Sequence, residues 1–272
     1  MRVGFIGLGS QGGPMARRIV DAGYATTLWA RRPASLEPYA DTAAKVAATP
    51  AELAAASDLV CLCVVGDADV EVVGTGVAGV LAGLAAGGVI AVHSTVHPDT
   101  CRRLAARART AGVRLIDATV SGGGGAAAEG RLLVMAGGDA ETVEFCRPVF
   151  ATYGDPIVHM GPVGSGQLAK LLNNVLFTAN LATAADALAL GRSLEVDPRR
   201  LAEVISHGTA SSFALERVAA AGGTLDRIAE HAGSKLRKDI QLIAALADAG
   251  AAPAGIVLTA ADDALARMRF PR

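Results

Sequence analysis

Val3-Gly4-Phe5-Ile6-Gly7-Leu8-Gly9-Ser10-Gln11-Gly12-Gly13-Pro14 decides the fold. A short apolar run at 3–6 enters a Gly-x-Gly-x-x-Gly turn, and residues 14–22 continue with helical character. In that order Gly7 permits a tight turn, Gly9 lets the main chain approach a pyrophosphate, and Gly12 allows a helix to pack closely on a strand. The anion then rests on the first amides of the helix. A glycine turn alone is often only a turn. Here it opens a strand–helix series, so Gly7, Leu8, Gly9, Ser10, Gln11 and Gly12 read as a dinucleotide cradle.

Outward from this turn, further apolar runs at 25–29, 59–64, 89–92, 113–116 and 132–135 alternate with helical segments at 51–55 and 99–109. Short apolar strands alternating with helices predict βαβ units and a mostly parallel sheet covered on both faces. After about residue 160 the alternation stops. Leu168, Leu171, Leu172, Val175, Leu176 and Ala179 form a helical stripe over 165–192, followed by helical stretches at 198–206, 213–220, 234–249 and 253–268. The expectation is an α/β Rossmann-type amino-terminal domain, 1–161, and an all-α carboxy-terminal domain, 162–272, joined by the long helix at about 165–192.

Composition narrows the classes. Of 272 residues 51% are hydrophobic and 19% charged, which supplies a core and argues against disorder. Twenty-five Lys and Arg against 26 Asp and Glu leave a net charge of −1, so nothing favours nucleic acid. No charge falls between residues 72 and 92, but six glycines break that stretch, which reads as a short helix, a turn and a strand rather than a membrane span. Arg2 and the early glycine turn do not make a signal peptide. The four cysteines are too scattered for a disulfide scaffold and lack companions at metal spacing, so no metal site, reduced thiols and a cytoplasmic location are expected. Cys61 and Cys63 read as small side chains on one face of a buried strand.

The second strand bears on which dinucleotide binds. An Asp or Glu about twenty residues after the glycine turn would bond a ribose 2′-hydroxyl. This strand ends Leu28-Trp29-Ala30-Arg31-Arg32-Pro33, without a carboxylate. Two guanidinium groups suit a 2′-phosphate, so NADP(H) is preferred, with NAD(H) possible. A solvated pair of surface arginines is the other reading.

Four separated motifs then resemble the β-hydroxyacid dehydrogenase family, that of 3-hydroxyisobutyrate dehydrogenase and tartronate semialdehyde reductase. The opening motif is similar except for Gln11, where Met is usual; Asp117-Ala118-Thr119-Val120-Ser121-Gly122-Gly123 resembles the substrate-binding motif. Gly161-Pro162-Val163-Gly164-Ser165-Gly166-Gln167, with Lys170, Asn173 and Asn174, resembles the catalytic motif, and Lys238-Asp239 the late Lys-Asp pair. The resemblance implies a lysine, Lys238, that approaches the cofactor, and a threonine, Thr95, near the nicotinamide. It also implies a small hydroxy-acid substrate and a homodimer or larger oligomer. Where many relatives carry a Phe facing the substrate, this chain has His231; His207 is a second histidine in the helical half. Both also read as ordinary surface residues.

The residues carry parts of these roles themselves. Ser121, Gly122 and Gly123, in a glycine-rich tract with orientable amides, could hold a carboxylate, or form an empty flexible loop. Lys170 and Asn174 lie four apart, hence on one helix face. At the edge of an apolar stripe Lys170 would be desolvated and suited to proton transfer; the helix pattern alone would favour a snorkelling lysine. Val64 and Val65, ending their strand, would line the adenosine. The leading expectation is an NADP(H)-dependent oxidoreductase moving hydride between the cofactor and a small 3-hydroxy acid or its semialdehyde. Imine reductases resemble the same architecture, but commonly carry Asp or Tyr in place of the lysine. A non-catalytic NADP-binding regulator is the third reading.

Overall fold

The computed structural model describes residues 1–253 and 255–272. The chain divides into two compact units, Met1–Lys170 and Leu171–Arg272. The first is built on one sheet whose strands are β1 (Arg2–Ile6), β2 (Ala25–Trp29), β3 (Lys45–Val46), β4 (Leu59–Leu62), β5 (Val89–Val92), β6 (Arg114–Ser121), β7 (Leu132–Gly137) and β8 (Gly154–Gly161). Their order is β3-β2-β1-β4-β5-β6-β7-β8, and the helices between them are α1 (Gly12–Asp21), α2 (Pro50–Ala55), α3 (Asp67–Thr75), α4 (Val80–Gly83), α5 (Pro98–Thr110), α6 (Gly123–Ala128) and α7 (Ala140–Phe150). Pairing is parallel as far as β6, antiparallel between β6 and β7, and parallel again to β8.

Register places the site. Trp29 pairs with Ile6, Ile6 with Leu62, Leu62 with Val92, and Val92 with Asp117. The carboxyl ends of β2, β1, β4 and β5 therefore stop on one line, and the loops leaving them start side by side. Asp117 continues that line midway along β6. Because the sheet is covered on both faces, neighbouring residues serve different cores. Phe5 and Cys61 join a cluster with Met15, Ile19, Phe150 and Tyr153, whereas Ile6 and Leu62 join Leu53, Ile90 and Leu104 on the other side.

Several expectations are adjusted. β4 ends two residues early, so Cys63 and Val64 belong to the loop. β6 runs on through Ser121, which places the Asp117–Thr119 motif in a strand. The tract after Ser121 is not a free loop: Gly122 and Gly123, at φ +130° and +77°, turn the chain into α6 (Gly123–Ala128). β8 escapes detection because, as an edge strand, most of its residues are exposed and it carries no apolar run. The uncharged stretch at 72–92 resolves into the end of α3 (Asp67–Thr75), α4 (Val80–Gly83) and β5. Among the described residues no helix is long and apolar enough to cross a membrane.

The second unit is helical. It takes most of α8 (Ser165–Ser193), then α9 (Pro198–His207), α10 (Phe213–Ala220), α11 (Asp226–Ala249) and α12 (Gly255–Arg267). Of the expected stripe, Leu171, Val175 and Ala179 are buried while Leu172 and Leu176 are exposed. The helix expected at 234–249 begins eight residues earlier. Gly233, locally a helix breaker, lies inside it because any Cβ there would overlap the Phe270 ring. For the helix expected at 253–268, residue 254 lies outside the described residues.

One buried titratable group links the sheet to its helical cover. His93, just past β5, stacks on Phe5 and meets Phe150 and Tyr153 edge-on. Its Nδ1–H donates to the Ala118 carbonyl at 2.5 Å, which leaves Nε2 to accept from the Tyr153 hydroxyl at 3.3 Å. Burial pushes its pKa down from 6.5 to about 4. The unfolded chain then binds a proton that the folded chain refuses, so stability falls as pH drops from 6.5 towards 4 and the loss is complete below it. This amounts to about 3 kcal/mol. Urea unfolding across that range should show the decline in the native chain and a shallower one in His93→Gln. An equal slope in both would exclude the assignment.

Candidate active site

The glycine turn leaves β1 at Ile6 and enters α1 (Gly12–Asp21). Gly7 has φ +101°, and a Cβ on it would strike the Cys63 carbonyl; a Cβ on Gly12 would strike the Gly7 carbonyl. Both glycines are thus required by the protein's own packing. Gly9 is different, because a Cβ there would meet nothing within 4 Å. Its bareness leaves room for something outside the chain. Gln11, at the helix cap, makes no side-chain cap bond, so the first amides of α1 are not closed off by it. An open backbone at Gly9, before a helix start without a side-chain cap, fits a pyrophosphate.

Loops from the neighbouring strands surround this turn. Arg31 and Arg32 follow β2, and both are exposed. Arg31 Nη1 donates to Asp69 Oδ1, in the first turn of α3, at 3.2 Å. Val64 is half-buried and Val65 exposed. Ser94 and Thr95 follow β5; Ser94 Oγ accepts from Val64 N at 2.8 Å, tying the two loops together.

Asp117 and Gln167 connect these loops to α8. Asp117 is fully buried, and its carboxylate accepts from Gly164 N at 2.6 Å and Gln167 N at 2.8 Å. Burial raises its pKa from the usual carboxylate value, and the backbone amides around the start of α8 oppose the rise. Thr119, also buried, donates from Oγ1 to the Gly166 carbonyl at 2.9 Å. Gln167, fully buried in the first turn of α8, accepts from Val96 N at 2.9 Å and donates to the Ser94 carbonyl at 2.8 Å. Lys170 follows in the second turn and is half-buried. Ser121 ends β6, and Gly122 and Gly123 start the turn into α6. The first unit therefore brings together the cradle, Arg31, Arg32, Val64, Val65 and Thr95 along the strand-end line, with Ser121–Gly123 and Lys170 held to it through β6 and α8.

The second unit holds the remaining residues. Asn174, one turn after Lys170 along α8, is buried and donates from Nδ2 to Asp239 Oδ2 at 2.6 Å. Asn173 donates to its Oδ1 at 3.0 Å. Asp239 is buried on α11, and its other oxygen, Oδ1, lies 3.3 Å from Lys238 Nζ. The asparagine amide is thereby held in one orientation. His231 lies two turns before Lys238 on the same helix, exposed, with Nδ1 bonded to the Arg227 carbonyl at 2.8 Å. His207 ends α9 and is exposed.

Ser94, Asp117, Gln167 and Asp239 carry the polar framework; the sequence places Ser94 at the ligand-facing strand edge and the other three inside motifs, without the partners that give each its part in it. One signal was available. A carboxylate inside the apolar run Leu115-Ile116-Asp117-Ala118 demands buried partners, though not their identity. Among the described residues no group of three or more His, Cys, Asp or Glu could hold a metal ion.

Comparison with known proteins bears on the family and the fold. A family model described as the NAD binding domain of 6-phosphogluconate dehydrogenase matches residues 2–161. Another, described as NAD-binding of NADP-dependent 3-hydroxyisobutyrate dehydrogenase, matches 164–268. The chain is 35% identical over 215 residues to the NAD-dependent L-serine dehydrogenase of Pseudomonas aeruginosa, covering 79% of this chain and 72% of that protein. It is 35% identical over 213 residues to the 3-hydroxyisobutyrate dehydrogenase of the same organism, covering 78% and 72%. The solved structure of Mycobacterium tuberculosis 3-hydroxyisobutyrate dehydrogenase with L-serine superposes with a TM-score of 0.85 at 27% identity, over 97% of this chain and 93% of that one. With its glycine turn, its strand-end line and its Lys170–Asn174 helix, this chain belongs to the β-hydroxyacid dehydrogenase family of NAD(P)-dependent oxidoreductases.

Proposed function

We propose that the chain is an NADP(H)-dependent dehydrogenase that moves hydride between its cofactor and a small 3-hydroxy acid or the matching semialdehyde, with Lys170 as general acid/base. The observation that carries this reading is the pairing of Lys170 with Asn174 one turn apart on α8, each on a stretch of helix fixed by a buried carboxylate. When bound, the nicotinamide supplies the hydride acceptor or donor. Gly7–Gly12 would hold the pyrophosphate, Val64 and Val65 the adenosine side, and Thr95 and Lys238 the nicotinamide side. In oxidation Lys170 Nζ takes the proton from the substrate hydroxyl; in reduction it returns it. Asn174 orients that hydroxyl through its fixed amide. Ser121, Gly122 and Gly123 anchor the carboxylate, and His231 would face the far end of the substrate. This is positioning and proton transfer on the protein's side, with the redox chemistry in the cofactor.

The cofactor preference rests on Arg31 and Arg32 after β2, a strand whose own end carries no carboxylate. Arg31 is kept near the sheet edge by Asp69 and remains free to turn donors towards a 2′-phosphate. A cytoplasmic homodimer or larger assembly completes the reading. Leu172, Leu176 and Leu190, exposed along α8, support association with a second copy.

Turnover should appear as NADP+ reduction with L-serine or 3-hydroxyisobutyrate in a hydroxy-acid panel. Reduction of imines without turnover of any hydroxy acid would instead favour the imine-reductase reading. Lys170→Ala should lower kcat by about 10²–10⁴-fold. Lys170→Arg should fail as well, since a guanidinium stays protonated. Near-native turnover by a folded Lys170→Arg protein would end the acid/base assignment. Replacing Arg31 and Arg32 by Ala should weaken NADPH by about tenfold for each charged hydrogen bond lost, leaving NADH nearly unchanged. Equal affinity of the native chain for both cofactors would overturn the preference.

A further inference from the structure

Gln167 has no part in the chemistry just described, yet its side chain is paired at both ends beside the strand-end line. It is fully buried, three residues ahead of Lys170. A carboxamide taken out of water is costly unless both of its ends are paired. Here both are, and to the main chain on either side of one residue: Oε1 accepts from Val96 N at 2.9 Å, and Nε2 donates to the Ser94 carbonyl at 2.8 Å. The residue between them is Thr95. The side chain thus grips Thr95 as an adjoining strand grips the residue it brackets, with one donor and one acceptor in register.

The grip is continuous in both directions. Ser94 Oγ accepts from Val64 N at 2.8 Å, and the Gln167 amide donates to Asp117 Oδ2 at 2.8 Å. A line of hydrogen bonds therefore runs from the loop after β4, through the loop after β5, to the start of α8 and into β6. Apolar packing could fill the same space. It could not fix the Thr95 main chain, because dispersion contacts are non-directional and both main-chain groups would be left without partners.

We infer that Gln167 is a positioning residue, which sets the Thr95 main chain against the turn of α8 that carries Lys170 and so seats the nicotinamide end of the cofactor. This rests on the placement of Thr95 and Lys170 in the proposed function. Its action is local to one end of the cofactor. The adenosine end is held by Gly7–Gly12 and the residues after β2, none of which Gln167 touches among its hydrogen bonds.

The test compares a whole cofactor with its nicotinamide-free fragment on the full chain. The cofactor is whichever of NADPH and NADH the native chain binds more tightly, and the fragment is 2′,5′-ADP or ADP accordingly. An error about Arg31 and Arg32 therefore does not decide the result. Gln167→Met keeps the length of the side chain and removes both hydrogen-bonding ends. It should weaken the whole cofactor by about tenfold while the fragment stays within about twofold. Gln167→Glu adds a second handle. As a carboxylate it cannot donate to the Ser94 carbonyl, so near neutral pH it should behave like Met; protonated, it has Gln's shape and one donor. Cofactor affinity should then recover as pH falls, above the usual glutamate pKa of about 4.3 because burial raises it. Equal losses of cofactor and fragment, or no loss of either, would overturn the inference and leave Gln167 a purely structural residue. Lys170→Arg run alongside separates the two readings: its turnover judges the acid/base role, while the two binding ratios judge Gln167.

Discussion

A carboxylate buried away from water has to be solvated by the protein, and Asp117 is solvated by the start of a helix. Its two oxygens take the amides of Gly164 and Gln167, which α8 cannot satisfy within itself. The helix end in turn offers the positive end of its dipole to the charge. Losing the carboxylate would strand those amides, and losing the amides would strand the carboxylate, at about 1–3 kcal/mol for each buried polar group left unpaired. The consequence is geometric. Asp117 sits on the register line shared by β1, β4 and β5, so α8 is anchored to the place where their loops emerge.

From that anchor the residues of the proposed reaction follow by helix arithmetic. Gln167 lies in the first turn and faces the loop after β5, Lys170 lies in the second, and Asn174 lies one turn further on. Buried carboxylates bracket the pair, Asp117 before it and Asp239 bonded to Asn174. Neither carboxylate touches the substrate in the proposed reaction. Both remove freedom from groups that must be placed to within fractions of an ångström, which is how a positioned acid or base gains its effect.

The legible part of this fold was the local part. The glycine turn, the alternating apolar runs and the long helix depend on neighbours within a few residues, and periodicity reports them directly. Lys170 and Asn174 are proposed from helical spacing together with family resemblance, and Arg31 and Arg32 from their place after a strand. The framework was hidden because it is non-local. Gln167 finds Ser94 some 73 positions away and Asp117 some 50 away, and Asn174 finds Asp239 across 65. No periodicity encodes such pairs. β8 escapes for another reason: it is an edge strand whose residues are mostly exposed, so Gly154–Gly161 lacks the apolar run that betrays its neighbours. The extension of α11 through Gly233 was hidden by a glycine whose purpose is to admit the ring of Phe270.

The central claim is that Lys170 meets the reacting hydroxyl. A crystal structure of the native chain with oxidised cofactor and a turned-over hydroxy acid measures this directly, as the distance from Lys170 Nζ to the hydroxyl oxygen. The account predicts about 2.6–3.2 Å, or one intervening water, with the Asn174 amide on the same oxygen. A substrate seated with Lys170 directed away from it, and another titratable group within reach of the hydroxyl, would contradict it.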